Sequence, residues 1–253
     1  MNFSVNVDAI YLGKKIDVHD AVEDVAKAGI KNIEFWGWWD KDLDRLCRLK
    51  EKYGLQYVGL CPRLTSMVDA QYKVQYLADF GEALKAAEKI GCTGIFVKPG
   101  DKTKDKFEVQ ARNMMDILRR LVDMATPSGI TVLLEPVSFL EAPDTFLGTS
   151  KLAFQMVREI DSPYLKVLYD LYHMQLDEGD ITRKVLENLD DIGHLHAAGI
   201  TDRHELGDGE IDYGYVFDAI DRAGYKKMTG LEYFPVKDPL DGLKKVIFEK
   251  NYR

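Results

Sequence analysis

Short apolar runs alternate with longer amphipathic stretches along the chain. The short runs are rich in β-branched and aromatic residues, as in buried strands, whereas the longer stretches repeat apolar residues at helical spacing. This alternation is typical of parallel βαβ units. Eight strands are predicted, at Phe3 to Asn6, Asn32 to Trp36, Tyr57 to Cys61, Gly94 to Lys98, Thr131 to Pro136, Leu165 to Asp170, His194 to Ala198 and Thr229 to Tyr233.

Eight helices are predicted as well. They cover Asp20 to Ala28, Asp42 to Tyr53, Val74 to Ile90, Phe107 to Met124, Ser150 to Ile160, Thr182 to Leu189, Tyr215 to Ala223 and Leu240 to Lys250. Glycine follows several of them, in AKAG, EKYG, EKIG and DRAG, where it supplies the left-handed residue that ends a helix. Eight strands and eight helices in 253 residues predict a closed (β/α)8 barrel, and no GxGxxG motif follows the first strand to favour an open sheet. No linker divides the chain, so one domain is expected over residues 1–253.

Composition and charge narrow the class of protein. With 46% hydrophobic and 30% charged residues, the chain is expected to fold around a substantial core. A formal net charge of -8 and a pI near 5.2 oppose non-specific attraction to nucleic acid. Neither a signal peptide nor a transmembrane run is recognisable, so a cytoplasmic protein without a membrane partner is expected. Cys47, Cys61 and Cys92 form no CxxC pair and are expected to be free thiols.

Ionisable residues interrupt four strands that should be apolar throughout. They are Glu135 in VLLEP, Asp170 in VLYDLYH, His196 in HLHAAG and Glu232 in TGLEYF. Each lies near the carboxyl end of one of the last four strands, where barrel enzymes place their active sites. A salt bridge would explain any one acid alone, but three buried carboxylates together indicate a bound cation. His194, two residues before His196, is expected one layer deeper in the barrel.

Three carboxylates and one imidazole suit Mn²⁺ or Mg²⁺, although Zn²⁺ and Co²⁺ also accept this mixture. A divalent ion that chelates adjacent carbonyl and hydroxyl oxygens acidifies the proton on the hydroxyl-bearing carbon and stabilises the resulting enediolate. A base can then return the proton to the neighbouring carbon. Glu135 and Glu232 are predicted to serve both as metal ligands and as this acid/base pair. The sequence therefore predicts a metal-dependent isomerase of a small hydroxy-carbonyl compound.

Four segments around these residues are LLEPVSFLEAPDTFLGTS (133–150), YDLYHMQLDEGD (169–180), IGHLHAAGITDRHELGDGEIDY (192–213) and GLEYFP (230–235). They resemble the hydroxypyruvate isomerase family, within the wider xylose-isomerase-like barrels, and DLYHMQLDEGD is the most specific part. The resemblance implies that Glu135, Asp170, His196 and Glu232 bind the metal and that Glu135 and Glu232 transfer the proton. It also implies conversion of hydroxypyruvate into tartronate semialdehyde.

Two features resemble the related ketose 3-epimerases instead. Those epimerases carry a histidine at the position of His196, where hydroxypyruvate isomerases carry glutamine, and their spacing is similar to that from Glu135 to Glu141. An epimerase or another isomerase of an unphosphorylated sugar is therefore the first alternative. An endonuclease IV-like nuclease is more remote, because it would need more histidine ligands than the five histidines offer. A sugar-binding barrel without turnover also stays open.

Five further residues are predicted to contact the substrate. The resemblance implies this role for His173 and Glu141, and the guanidinium of Arg203 could bind a carboxylate or hydroxyl group. Lys98 ends the fourth strand and Trp36 the second, so both could line the pocket. The alternatives are a structural histidine, a surface ion pair for Arg203, an exposed rim position for Lys98, and packing or a subunit contact for Trp36. A homo-oligomer is possible by analogy with similar proteins.

Overall fold

The computed structural model of the protein describes residues 1–63, 65–200, 202–207 and 209–252. Its centre is a ring of eight parallel strands. They are β1 (Asn2–Asn6), β2 (Asn32–Glu34), β3 (Gln56–Gly59), β4 (Gly94–Val97), β5 (Thr131–Leu134), β6 (Leu165–Asp170), β7 (Ile192–Ala197) and β8 (Met228–Leu231). The strand order is β3-β2-β1-β8-β7-β6-β5-β4, and a bridge between Leu60 and Ile95 joins β3 to β4. The predicted (β/α)8 barrel is confirmed.

Ten α-helices and two 3₁₀ helices are present in the described residues. The α-helices are α1 (Val7–Ile10), α2 (Val18–Lys27), α3 (Leu43–Tyr53), α4 (Lys73–Ile90), α5 (Phe107–Ala125), α6 (Ser150–Ile160), α7 (Leu171–Asp177), α8 (Ile181–Glu187), α9 (Tyr213–Arg222) and α10 (Pro239–Ile247), and the 3₁₀ helices are Ala70–Tyr72 and Thr126–Ser128. Among the described residues, no helix is both long and apolar enough to cross a membrane. All three cysteines are free, as predicted.

The short helices α1 and α7 were not predicted, because each begins directly where a strand ends. The Oδ1 atom of Asn6, the last residue of β1, accepts a hydrogen bond of 3.2 Å from the backbone N–H of Ala9. The Oδ1 atom of Asp170, the last residue of β6, accepts one of 2.8 Å from Tyr172. Such side-chain caps satisfy the free N–H groups of a helix start, so one residue both ends a strand and caps a helix.

Several strands also end earlier than predicted, and this places two acids just beyond the sheet. β5 ends at Leu134 and β8 at Leu231, one residue before Glu135 and Glu232. The backbone N–H of Glu135 still donates to the Val97 carbonyl at 3.0 Å, and that of Glu232 donates to the Ala197 carbonyl at 3.2 Å. Each acid is thereby held against the neighbouring strand at the carboxyl end of the barrel.

A small apolar cluster of Cys61, Phe96, Leu133 and Leu168 is separate from the main core, which packs between the strands and the helices. The Phe96 ring fills space beside β3, since a Cβ on Gly59 would lie only 1.8 Å from its Cζ atom. This layer lies next to the ionisable residues of β7, because the Phe96 ring centroid is 5.3 Å from the ring centroids of both His194 and His196.

Candidate active site

Glu135, Asp170, His196 and Glu232 meet at the carboxyl end of the barrel, as the sequence predicts, and are here called the rim cluster. One ligand atom from each lies within 4.8 Å of the others. All four residues are buried, with at most 3% of their surface exposed. They come together because β5, β6, β7 and β8 are consecutive neighbours in the ring.

The chemistry of the rim cluster fits a divalent cation. The Oε1 atom of Glu135 and the Nδ1 atom of His196 are buried and have no hydrogen-bond partner within the described part of the chain. Leaving such atoms unsatisfied is costly. His196 Nδ1 lies 3.4 Å from Glu232 Oε2, so it faces the carboxylates. Three carboxylates and one imidazole nitrogen are a donor set that Mn²⁺, Mg²⁺, Zn²⁺ and Co²⁺ all accept.

Glu232 is surrounded by donors from three sides of the barrel. Its Oε1 atom accepts hydrogen bonds from Asn6 Nδ2 at 2.9 Å and from Trp36 Nε1 at 2.5 Å. Its Oε2 atom accepts a hydrogen bond from Arg203 Nη2. Burial opposes ionisation of Glu232, but His196 and Arg203 outweigh it and hold the pKa of this carboxyl well below its usual range. Glu232 is therefore a carboxylate near neutral pH.

Sequence reasoning missed Asn6, although a polar residue at the end of an apolar strand was a signal of the same kind as the four acids. Asn6 is fully buried. Trp36, for which the sequence predicts a substrate contact, donates a hydrogen bond from its indole N–H to the Glu232 carboxylate. Its ring packs edge-on against Phe234 at 6.3 Å between ring centroids.

Arg203 is a buried cation between the carboxylates, with 8% of its surface exposed. Its Nη2 atom lies 3.1 Å from Asp170 Oδ2, and its Nη1 atom lies 3.1 Å from Glu141 Oε2. Arg203 is buried in both pairs, so they differ from the surface ion pair that was the alternative for this residue. Arg203 has φ = 57°, a left-handed conformation that costs energy for a residue other than glycine.

His173 lies on α7 inside the same group of charges. Its Nε2 atom is 3.5 Å from Asp170 Oδ2 and 3.4 Å from Arg203 Nη1. Burial and the nearby guanidinium lower the pKa of His173 to about 4. The imidazole is therefore neutral near pH 7 and can exchange hydrogen bonds with a hydroxyl or carbonyl group. Glu141, held by the Tyr172 hydroxyl at 2.7 Å, completes this side of the site.

Lys98 contacts the rim cluster through Glu135. Its Nζ atom lies 3.1 Å from Glu135 Oε2, and 28% of the side chain is exposed. Burial would lower the pKa of Lys98, but the attraction of Glu135 and Glu232 is stronger and raises it, so the amine is charged. A cavity of about 610 Å³ opens beside it, with Ser66 and Thr145 among its lining residues.

A second group of polar residues lies beneath the rim cluster and is here called the deep cluster: Ser4, Glu34 and His194. Glu34 is fully buried on β2 and was not singled out from the sequence. Its Oε2 atom lies 3.0 Å from His196 Nε2, and its Oε1 atom lies 2.9 Å from His194 Nε2. Burial opposes ionisation of Glu34, yet the two imidazoles lower its pKa to about 2. The expectation that His194 lies deeper in the barrel than His196 is confirmed.

The sequence model described as the xylose isomerase-like TIM barrel family matches residues 22–247. The chain belongs to the xylose isomerase-like TIM barrel family. A solved structure described as AP endonuclease, family 2, from Brucella melitensis superposes with a TM-score of 0.92 over 100% of this chain and 99% of that chain. Its sequence is 24% identical, so the likeness shows the fold alone.

Curated relatives that match the chain include proteins named as isomerases. The hydroxypyruvate isomerase of Escherichia coli (strain K12) is 26% identical over 96% of this chain and 97% of its own length. The 2-oxo-tetronate isomerase of Cupriavidus necator is 35% identical, but the match spans 62% of this chain and 63% of that protein. The predicted resemblance to hydroxypyruvate isomerases is confirmed, and the chain is an enzyme of the isomerase class. A solved D-psicose 3-epimerase from Clostridium cellulolyticum shares the fold, with a TM-score of 0.80 at 22% identity over 92% of this chain and 85% of that chain.

Proposed function

We propose that the protein is a metal-dependent isomerase that moves a carbonyl group between adjacent carbons of a short 2-oxo acid, with hydroxypyruvate as the first candidate. The observation that carries the proposal is the rim cluster, where three buried carboxylates and an imidazole converge beside two cations. Glu135, Asp170, His196 and Glu232 would hold one divalent ion. Mn²⁺ and Mg²⁺ are favoured by the oxygen-rich donor set.

The bound ion would polarise the carbonyl and hydroxyl oxygens of the substrate and lower the pKa of the C–H group on the hydroxyl-bearing carbon. Glu135 and Glu232 would then move that proton. In hydroxypyruvate the proton leaves C3 and another is added at C2, while the C3 hydroxyl proton is lost and the C2 oxygen is protonated. The product is tartronate semialdehyde, with the same atoms and no change in overall oxidation state. Trp36 and Asn6 hold the Glu232 carboxylate in place for this transfer.

The charges around the cluster favour an acid as substrate. Lys98 and Arg203 are both charged, and each lies at 3.1 Å from an oxygen of the rim cluster. A substrate carboxylate beside the reacting carbons would be attracted by the positive charge of either side chain. His173, which is neutral, would bind a hydroxyl or carbonyl oxygen. Two names among the relatives, hydroxypyruvate isomerase and 2-oxo-tetronate isomerase, describe enzymes of such acids.

A ketose 3-epimerase is the second candidate, and a specific observation favours it. His196 occupies the ligand position that ketose 3-epimerases fill with histidine, and its Nδ1 atom faces the carboxylates of the rim cluster. Epimerisation would need the same pair of carboxylates, because the proton is removed and returned at a single carbon.

A substrate panel tests the proposal directly. Hydroxypyruvate, tartronate semialdehyde, 2-oxo-tetronate, tagatose, fructose and 2-keto-inositol are each incubated with the purified protein and Mn²⁺, Mg²⁺ or Co²⁺ in deuterated water. We expect product and carbon-bound deuterium for the 2-oxo acids. Turnover confined to the ketoses would establish the epimerase instead. If no compound turns over or exchanges its proton, the proposed function is wrong and a barrel that binds without turnover is favoured.

A further inference from the structure

Glu34 is a buried charge outside the rim cluster that the proposed reaction does not use directly. It lies on β2, on the far side of the ring from β5 and β6, and none of its surface is exposed. A carboxylate in such a place is costly unless every oxygen is hydrogen-bonded. Its environment must therefore compensate for the lost water.

The structure supplies that compensation from two other strands. The Ser4 hydroxyl on β1 donates to Glu34 Oε1, and His194 Nε2 on β7 lies 2.9 Å from the same oxygen. The remaining oxygen, Oε2, lies 3.0 Å from His196 Nε2, within hydrogen-bond range. Glu34 thus joins the deep cluster to one member of the rim cluster.

The barrel leaves space for this carboxylate and for little else. A Cβ placed on Gly230 would lie 2.6 Å from Glu34 Oε2 and 2.6 Å from His196 Cδ2. On another side, Phe96 packs against the imidazoles of both His194 and His196. The His196 ring is therefore fixed between a glycine, an aromatic ring and the Glu34 carboxylate.

We propose that Glu34 is a positioning residue: its Oε2 atom accepts the Nε2–H of His196 and thereby directs the His196 Nδ1 lone pair toward the metal held by the rim cluster. The inference rests on the proposed function, because it assumes that His196 is a metal ligand. Two observations support it independently of each other. His196 Nε2 is bonded to Glu34, and His196 Nδ1 is a buried atom without a hydrogen-bond partner in the described residues. A ligating histidine commonly donates its second N–H to a carboxylate, which fixes its tautomer and its ring orientation.

Glu34, His194 and His196 could in principle form a second metal site, since their ligand atoms also lie within 4.8 Å of one another. The 3.0 Å separation between Glu34 Oε2 and His196 Nε2 instead indicates a direct hydrogen bond. A second ion would also require His196 to bridge two metals through its two nitrogens. The positioning role predicts one metal ion per chain.

The test compares Mn²⁺ binding to the wild-type protein and to Glu34→Gln by isothermal titration calorimetry. The amide presents only one acceptor oxygen, so it cannot accept hydrogen bonds from both Ser4 and His196, which contact different oxygens of Glu34. We expect one site per chain in the wild type and affinity about 10 to 100-fold weaker in Glu34→Gln. Thr229→Val is the matched control, because Thr229 is fully buried and its hydroxyl has no hydrogen-bond partner in the described residues. It should bind Mn²⁺ within about threefold of the wild type.

A second measurement covers the case in which Glu34→Gln does not fold. The wild-type protein is labelled with ¹⁵N-histidine and its ring nitrogens are observed by NMR with Zn²⁺ as a diamagnetic probe, which five histidines make practicable. The His196 signal, identified from its loss in His196→Gln, should show a protonated Nε2 and a metal-bound Nδ1. Coordination through Nε2, a second metal ion, or equal Mn²⁺ affinity in a folded Glu34→Gln would each overturn the positioning role. A wild-type protein that binds neither ion would overturn the metal-dependent function together with it, whereas the other outcomes leave that function intact.

Discussion

The rim cluster and the deep cluster contain similar residue types, but their glutamates differ in how their hydrogen bonds are satisfied. In the rim cluster, Glu135 Oε1 and His196 Nδ1 are buried and lack hydrogen-bond partners among the described residues. In the deep cluster, each oxygen of Glu34 has a hydrogen-bond partner on another strand, Ser4 for Oε1 and His196 for Oε2, although His194 Nε2 is near Oε1 without forming a hydrogen bond. Buried polar atoms that the protein leaves unsatisfied are available to a ligand, whereas satisfied ones hold their neighbours in place. Hydrogen-bond partners therefore separate the role of Glu135 from that of Glu34, although both are buried glutamates.

The largest loss of activity is expected from substitutions in the rim cluster, at the two glutamates proposed to transfer the proton. Glu135→Gln and Glu232→Gln keep the size of each side chain but remove the base. Each should lower solvent-deuterium exchange into the substrate by about 10² to 10⁴-fold, the usual contribution of a positioned acid or base. Exchange is measured by NMR at saturating Mn²⁺, so that weaker metal binding does not dominate. Glu51→Gln, at an exposed position on α3, is the control and should exchange like the wild type; wild-type exchange in either site variant would remove that glutamate from the pair.

A second rim variant separates metal binding from structural support. Asp170 both faces the rim cluster through Oδ2 and caps α7 through Oδ1. Asp170→Asn keeps a capping oxygen but loses the charge, whereas Asp170→Ala loses both. We expect metal affinity to fall about tenfold or more in both variants, while only the alanine variant loses a further ~1 kcal/mol of unfolding free energy from the missing cap. Calorimetric Mn²⁺ binding and urea unfolding measure the two effects, and a full complement of metal in both variants would exclude Asp170 as a ligand.

The barrel and the rim cluster could be predicted because both depend on local pattern. Glu135, Asp170, His196 and Glu232 each interrupt an apolar strand in its own βα unit, and a parallel barrel brings such strand ends together. The helices α1 and α7 were missed because Asn6 and Asp170 act as caps immediately after a strand. A strand pattern gives no indication of a cap that begins within one residue of its end.

The deep cluster was missed for a different physical reason. Glu34 also interrupts an apolar strand, but it lies on β2, outside the run of neighbouring strands that supplied the other acids. Its partners, Ser4 and His194, come from β1 and β7. Whether a buried acid is satisfied depends on which residues lie across the barrel from it, and that depends on the register of three strands. Gly230 gave a possible signal, because a glycine inside a strand often marks a close approach.

Gly230→Ala perturbs the contact between the two clusters without changing any polar group. The added Cβ would lie 2.6 Å from both Glu34 Oε2 and His196 Cδ2, so one of the two side chains must move. Overpacking of this kind costs about 1 to 3 kcal/mol of unfolding free energy, and we expect weaker Mn²⁺ binding as well. Gly81→Ala, on helix α4, is the control. Its Cβ would meet only the flexible end of the Met124 side chain, at 3.3 Å. Unchanged stability and metal affinity in Gly230→Ala would show that the two clusters are not tightly packed together.

The smallest effect is expected from Trp36→Phe, which keeps an aromatic ring at the rim but removes the indole N–H. That group donates to Glu232 Oε1 at 2.5 Å, and hydrogen bonds to charged groups contribute about 1.5 to 3 kcal/mol. Because Asn6 and Arg203 continue to bond the same carboxylate, we expect a loss at the low end, about tenfold in kcat, with little change in KM. Trp39→Phe, in the same loop but 45% exposed, should have wild-type kinetics. A rise in KM with unchanged kcat would indicate that Trp36 contacts the substrate and does not act by positioning Glu232.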